Sequence, residues 1–221
     1  MTARSIAALG LVVCLGGASA FAPTPALAGG SRGKVLVVNN NSGSLTVIDT
    51  TKRALQGNAP VGNRPTKVVS DFRGSLAYVI NTGSDSLSIV NLSNLAVITF
   101  PLGFEPSDLA LTPAATTLVI LHQDHDIASG GGELKGDYSI VDLKQMQIVT
   151  TNNLGGVGAG DPDPCGIVAD NSGEFVWITS CATNKVVLID LNKARQGDTG
   201  AEVKEVLDSE TNPMDIAITA R

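Results

Sequence analysis

The decisive stretch of this sequence reads LVVNNNSGSLTVID over residues 36–49. It aligns without gaps with YVINTGSDSLSIVN at residues 78–91, an offset of 42 residues, and the same frame returns 99 residues later as WITSCATNKVVLID at residues 177–190. A second anchor contains proline and reads GNRP at 62–65, GFEP at 103–106, PCG at 164–166 and NPMD at 212–215. Self-similarity with a period of about 41 to 42 residues, where no insertion intervenes, indicates a repeat architecture.

Each repeat predicts four short strands separated by turn residues. In the second repeat the strands are residues 76–81, 86–91 and 95–101, and the strand at 107–112 opens the next unit. Apolar runs such as residues 35–38 suit strands that are covered on both faces. Four strands in roughly 40 to 45 residues are typical of a β-propeller blade, so the predicted fold class is all-β.

Several residues carry a family resemblance. YVINT at 78–82 and SIVN at 88–91, followed by Leu102-Gly103 and Pro106, resemble the YVTN-type β-propeller repeat. The resemblance covers essentially residues 34–221 and implies the propeller fold. Such proteins are commonly exported, and their propellers are related to those of amine dehydrogenase heavy chains and lactonase-like proteins. Members usually have about seven blades, which is more than this chain supplies, and the motif itself is structural.

The number of repeats predicts about four four-stranded blades. The propeller domain is expected at residues 29–221, with repeats starting near 34, 76, 117 and 175 and a last strand at 213–219. The last strand could complete the first blade, because residues 34–61 supply only three strands. Three arrangements remain open: a closed four-bladed ring, an arc completed by self-association, and a truncated propeller.

The N-terminus predicts export. One basic residue, Arg4, precedes an apolar run from Ile6 to Ala22, and small-x-small sites follow at 18–20 and 26–28. These are the marks of a secretory signal peptide, expected to be residues 1–28. We therefore expect a periplasmic or secreted protein with no stable membrane span after cleavage. An uncleaved anchor is the alternative.

The charge of the chain excludes one class of partner. The 221 residues carry a formal net charge of −6, from 15 Lys and Arg against 21 Asp and Glu, without a basic cluster. Neutralising phosphates provides most of the affinity of nucleic-acid-binding proteins, so we expect no nucleic-acid partner.

Blade three departs from the repeat, and its two insertions predict a metal site. Insertions follow its second strand and its last strand, and both should emerge on one face of the propeller. They bring together the candidate ligands His122, Asp124, His125, Asp126, Asp161 and Asp163. Imidazole and carboxylate groups suit a divalent metal, although the spacing matches no standard zinc or calcium motif. A solvated acidic loop without any cofactor is the alternative.

Two further predictions concern single positions. The residue before the repeat proline should ring the channel mouth, a set formed by Arg64, Glu105, Asp163 and Asn212. Cys165 and Cys181 lie on opposite strands of one hairpin, which favours a disulfide in an exported protein. Two free thiols are the alternative.

No catalytic motif accompanies these features. The sequence lacks the G-x-S-x-G, H-E-x-x-H, Walker and Rossmann patterns. The preferred function is therefore a non-catalytic binding or scaffold module of the cell envelope, which holds a protein partner or a small ligand through the blade-three rim loops. The alternative is an enzyme, either a metal-assisted lactonase-like hydrolase or a subunit of a periplasmic dehydrogenase.

Overall fold

The fold is seen in a computed structural model, which describes residues 33–103, 105–122, 137–154, 164–196 and 203–219. These residues form four antiparallel β-sheets that follow one another along the chain. The first sheet has three strands, and each of the others has four. One short helix, α1 (Leu191–Ala194), follows the third strand of the last sheet. The prediction of an all-β, propeller-type fold is confirmed.

Each sheet is an up-and-down meander. The first contains β1 (Lys34–Asn39), β2 (Ser44–Asp49) and β3 (Ala54–Pro60). The second contains β4 (Pro65–Ser70), β5 (Leu76–Asn81), β6 (Ser86–Asn91) and β7 (Val97–Pro101). The third contains β8 (Pro106–Leu111), β9 (Thr117–His122), β10 (Asp137–Asp142) and β11 (Gln147–Asn153). The fourth contains β12 (Pro164–Ala169), β13 (Phe175–Ser180), β14 (Lys185–Asp190) and β15 (Val203–Asp208).

The sheets stack face to face, and alternate residues of one strand enter different cores. On β5, Ala77 and Val79 join the core shared with the first sheet, whereas Tyr78 and Ile80 join the core shared with the third sheet. Another core lies between the third and fourth sheets. A sheet covered on both faces has no polar side, which explains the continuous apolar runs in the sequence.

The innermost strands β4, β8 and β12 pack beside one another. In a propeller, the innermost strands border the central channel. Each of these three strands begins with proline, and its register with the next strand shifts directly after that proline. The residue that follows the proline is therefore a bulge, which redirects its side chain. The bulged residues are Thr66, Ser107 and Cys165.

The stacked sheets have two sides at which the strands begin and end, which we call the upper and the lower face. The upper face carries the turns that follow β1, β5 and β13, and the connections into the innermost strands. In three sheets such a turn ends in a residue with positive φ: Gly43 (59°), Asp85 (44°) and Asn184 (56°). The carbonyl oxygen of each accepts a backbone hydrogen bond from the residue after the outermost strand, at 2.8, 2.8 and 3.0 Å. This repeated bond fixes the upper face.

The predicted closing strand at residues 213–219 is not formed. These residues have no strand structure, and the first sheet keeps three strands. The segment lies beside β12 instead: a Cβ added to Gly166 would lie 2.9 Å from the Asp215 Cα, and Asn171 Nδ2 donates to the Thr219 carbonyl at 3.4 Å. The four sheets form a row in chain order, with the sheet of β1 at one end and the sheet of β12 at the other. Residues 213–219 therefore lie at the opposite end from β1 and do not complete its sheet.

Candidate functional site at the channel mouth

Each innermost strand carries a distinctive residue two positions after its proline. These residues are Lys67 on β4, Asp108 on β8 and Gly166 on β12, and Asp215 takes the same place in residues 213–219. The register supports the equivalence, because the first three each pair with the next-to-last residue of the following strand. The repeat therefore places these residues at one level of the channel, close to its upper mouth.

Lys67 and Asp108 form an ion pair between neighbouring sheets. The Lys67 Nζ lies 3.5 Å from the Asp108 Oδ1, and Asp108 is only 7% exposed. Burial raises the pKa of Asp108, against the opposing influence of Lys67 and of the Leu109 N–H, and the negative charge of Asp215 raises it further. The site therefore contains a buried carboxylate whose charge is incompletely compensated.

Glycine at position 166 allows Asp215 to approach the channel. A Cβ at Gly166 would meet the backbone of Asp215 and would lie 3.1 Å from the Thr179 Oγ1. With no side chain between them, Asp108 and Asp215 interact electrostatically although β12 lies between their backbones. The charged cluster thus consists of one cation and two carboxylates.

His122, predicted as a metal ligand, lies inside the third sheet. It is 1% exposed, and its Nε2 lies 2.8 Å from the Ser139 Oγ, which in turn lies 2.9 Å from the Thr151 Oγ1. The three side chains form a polar ladder across β9, β10 and β11. His122 is thus buried at the end of β9 and contacts the Ser139 hydroxyl, and its role as a metal ligand stays a prediction.

The second sheet contains the same ladder with different residues. Asn81 Nδ2 donates to the Ser88 Oγ at 2.9 Å, and the Ser88 Oγ lies 2.7 Å from the Thr99 Oγ1. His122 and Asn81 both end the second strand of a sheet, and both are buried. A structural role of His122 could have been found from the sequence, because the repeat aligns the two residues.

The other predicted ligands, Asp124, His125, Asp126, Asp161 and Asp163, lie outside the described residues. Within the described ranges, no group of three or more His, Cys, Asp or Glu side chains could hold a metal ion. The metal site remains a prediction about the two blade-three insertions.

The rim residues Arg64, Glu105 and Asn212 each directly precede the first proline of an inner strand or segment. Arg64 packs its side chain over Gly83, where a Cβ would lie 2.8 Å from the Arg64 Cδ. The backbone N–H of Asn212 donates to the Asn184 Oδ1 at 2.7 Å, which ties residues 213–219 to the upper turn of the fourth sheet. Arg64 and Asn212 have positive φ, 48° and 58°.

The predicted disulfide between Cys165 and Cys181 is present, with 5.9 Å between the Cα atoms. Cys165 is the bulged residue of β12, and Cys181 directly follows β13. Pro213 and Met214 lie against this bridge, since the Cys181 Sγ is 3.1 Å from the Pro213 carbonyl oxygen and 3.7 Å from the Met214 Sδ. The bridge therefore helps to seat the start of residues 213–219.

Comparisons with known proteins support the fold and leave the function open. No family model matches the chain. No curated protein sequence matches it either. Among solved structures, the chain is similar to dihydro-heme d1 dehydrogenase NirN in complex with DHE, with a TM-score of 0.60 and 12% identity over 81% of this chain. The match covers 35% of the NirN chain, so this chain spans about a third of that protein's length.

The charged cluster of Lys67, Asp108 and Asp215 was not predicted from the sequence. A signal was available in the repeat, because each residue stands two places after a repeat proline. The position does not stand out in the sequence, because a lysine, an aspartate and a glycine occupy it in turn, and such variation is common among exposed residues. Only the packing of β4 against β8 places these charges next to one another.

In the described part of the chain, no helix is long and apolar enough to cross a membrane.

Proposed function

We propose that this chain is a non-catalytic binding module of the cell envelope, which holds a partner or ligand at the upper mouth of its channel. One observation carries the proposal: in the cluster of Lys67, Asp108 and Asp215, a buried carboxyl group whose pKa is raised by burial lies beside a lysine and under the influence of a second carboxylate. A carboxyl group whose pKa is shifted by burial and by specific charged neighbours is typical of binding and functional sites. Function in propellers resides in such sites, since one fold serves many activities.

The chemistry of the cluster favours a cationic group on the partner. Two carboxylates face one ammonium group, and the chain as a whole carries a net charge of −6. An amine or guanidinium group at the mouth would reduce the repulsion between Asp108 and Asp215. The ligand class is therefore a basic side chain of a protein partner or a small amine. The predicted rim residues and the blade-three insertions would surround it.

The disulfide supports a location outside the cytoplasm, because such bonds persist in oxidising compartments. Together with the signal-peptide pattern, it supports a periplasmic or secreted protein.

The hydrolase alternative is less well supported. It requires a bound metal, and the Nε2 of His122, one of the predicted ligands, lies at hydrogen-bond distance from the Ser139 hydroxyl. A metal bound by the remaining insertion residues would revive it.

Site-specific photocross-linking tests the binding proposal. A photoreactive residue at Asn63, exposed on the upper face, should capture a partner in the producing cell, whereas one at Ala114, exposed on the lower face, should not. Replacing Asp215, which is also exposed, by Asn should weaken capture at position 63 several-fold. Equal capture at both positions, or capture that ignores Asp215→Asn, would contradict the proposal.

A further inference from the structure

Each outer face of the row of sheets carries apolar side chains that are partly exposed. On the second sheet, Tyr78 and Ile89 are 2% and 8% exposed, because the third sheet covers them. Their equivalents on the fourth sheet, Trp177 and Leu188, are partly exposed. The first sheet likewise leaves Val37 partly exposed on the side away from the second sheet. Stacked repeats normally end in polar faces, so apolar end faces indicate a covering partner.

The two end sheets also offer backbone that suits strand pairing: one has an unpaired strand edge, and beside the other lies an unpaired segment. Among the described residues, β1 pairs with β2 only, and residues 213–219 pair with no strand. The unpaired segment reads PMDIAIT, which closely matches PSDLALT in β8 and the residue after it. The segment therefore has the sequence of an innermost strand. Met214 and Ile218 are 63% and 40% exposed, as expected for a strand that lacks its sheet. An unpaired strand edge recruits another strand.

We propose that two copies of this chain close one ring, in which residues 213–219 of each copy form the innermost strand of the other copy's first sheet. The segment is held on β12 of its own chain, beyond the fourth sheet, where the next sheet of a ring would begin. A head-to-tail contact repeated by a two-fold axis closes without a free end. Two chains of four sheets give eight sheets, within the range that propellers use.

The repeat fixes the register of the new pairing. In the three complete sheets, the proline of the innermost strand pairs with the last residue of the next strand, as Pro65 does with Asn81. Pro213 should therefore lie opposite Asn39 of the other copy. The bulged residue, Met214, should then lie beside Asn40.

Two existing pairs occupy the position predicted for Met214 and Asn40. The Oγ1 atoms of Thr66 and Thr82 lie 2.7 Å apart in the second sheet. In the fourth sheet, Cys165 and Cys181 form the disulfide at this position. A cysteine pair at 40 and 214 therefore has a bonded precedent within the same chain.

Disulfide trapping between two differently tagged chains tests the proposal. One chain carries Asn40→Cys and the other Met214→Cys, in a background where Cys14 is replaced by Ser and both Cys165 and Cys181 by Thr. After mixing and oxidation, we expect a covalent dimer that contains both tags. As a register control, a chain with Ser42→Cys replaces the Asn40→Cys chain and should give at least tenfold less product.

A chain that carries both Asn40→Cys and Met214→Cys distinguishes the possible rings. Bridges between two chains support the proposal. A bridge within one chain would show a closed four-sheet monomer and overturn it, as would the absence of any bridge. A covalent series longer than two copies would show an open filament, which also contradicts a two-copy ring.

Sedimentation tests the same idea without any engineered cysteine. The native chain should sediment at twice the mass of one chain, and Trp177→Arg should convert it to a monomer. Ile98→Arg is the matched control, because Ile98 is 65% exposed on the outermost strand β7. It should leave the dimer intact. A native monomer, or equal dissociation by both variants, would refute the proposal.

Discussion

The disulfide between Cys165 and Cys181 occupies the position at which Thr66 and Thr82 share a hydrogen bond in the second sheet. In both sheets the first partner is the bulge after the repeat proline, and the second directly follows the neighbouring strand. The bulge brings the two side chains together, and the residue type decides whether they bond covalently or by hydrogen bonding. The bridge is thus a local variant of a contact that the repeat already provides.

Exchanging one kind of contact for the other gives the first prediction. Replacing both Cys165 and Cys181 by Ala should lower the free energy of unfolding by up to about 3 kcal/mol, because the 16-residue separation is no longer closed in the unfolded chain. Replacing both by Thr should restore about 1 kcal/mol of this loss, through the hydrogen bond seen between Thr66 and Thr82. Urea unfolding measures both. A Thr pair no better than the Ala pair would contradict the equivalence of the two sheets.

The polar ladder gives the second prediction. His122→Asn should retain the stability of the wild-type protein within about 1 kcal/mol, because Asn81 occupies the same place and reaches the equivalent hydroxyl. His122→Ala should lose about 2 kcal/mol, since it leaves a cavity and removes a partner of the buried Ser139. Thermal unfolding with and without zinc compares the variants. A zinc-dependent rise in Tm that His122→Asn abolishes would return His122 to a metal site.

The pH dependence of stability gives the third prediction. The pKa of Asp108 is raised in the folded protein, so its ionisation costs stability as the pH rises above its unfolded pKa of about 3.8. The unfolding free energy of Asp108→Asn should therefore increase relative to that of the wild type as the pH rises from 3 to 7.

Asp142 is the matched control with the opposite sign. Backbone N–H groups of Gln145 and Lys144 lower the pKa of Asp142, so its contribution is present at neutral pH and is lost as the pH falls through the lowered folded pKa. Asp142→Asn should be destabilising at pH 7, and the loss should shrink towards pH 3. Urea unfolding across this range decides the matter. Parallel pH profiles for the two variants would contradict both assignments.

Backbone conformation gives the fourth prediction. Ala115 has a φ of 51° in the lower turn of the third sheet, where the second and fourth sheets have Gly74 and Gly173. Ala115→Gly should raise the unfolding free energy by about 0.5 kcal/mol, because relief of the left-handed strain exceeds the added entropy of the unfolded chain. Gly74→Ala should cost about 1 kcal/mol, since its Cβ would meet nothing within 4 Å and only the conformation changes. Calorimetry measures both, and equal signs would refute the argument.

The sequence repeats predicted the sheets well, because each sheet is formed by strands that follow one another in the sequence. The strands β1, β5, β9 and β13 begin at residues 34, 76, 117 and 175, and the disulfide followed from the register of one hairpin. The insertion after His122 suggested a rim position, whereas its alignment with Asn81 indicates the buried end of a strand, which is where the structure places it.

The unpredicted features depend on how sheets are arranged around the channel. The ion pair of Lys67 with Asp108 joins residues 41 positions apart, on strands that belong to different repeats. The location of residues 213–219 depends in the same way on the packing of one sheet on the next. Strand patterns contain no information about the turn from sheet to sheet, so neither feature could be derived from them.

The meander layout of the sheets also has a mechanical consequence. Each four-stranded sheet uses one continuous stretch, such as residues 65–101 for the second, and takes no strand from elsewhere in the described chain. A molecule pulled from its two ends would therefore lengthen in separate steps, about 140 Å for the 41 residues of the second repeat and more for the third repeat, which contains the insertions. The step of the fourth sheet would be shortened by the disulfide, because the residues between Cys165 and Cys181 cannot be extended while the bond is intact. Under load, the sheets should therefore unfold one after another, and the sheet that contains the disulfide should release less chain than its length would allow.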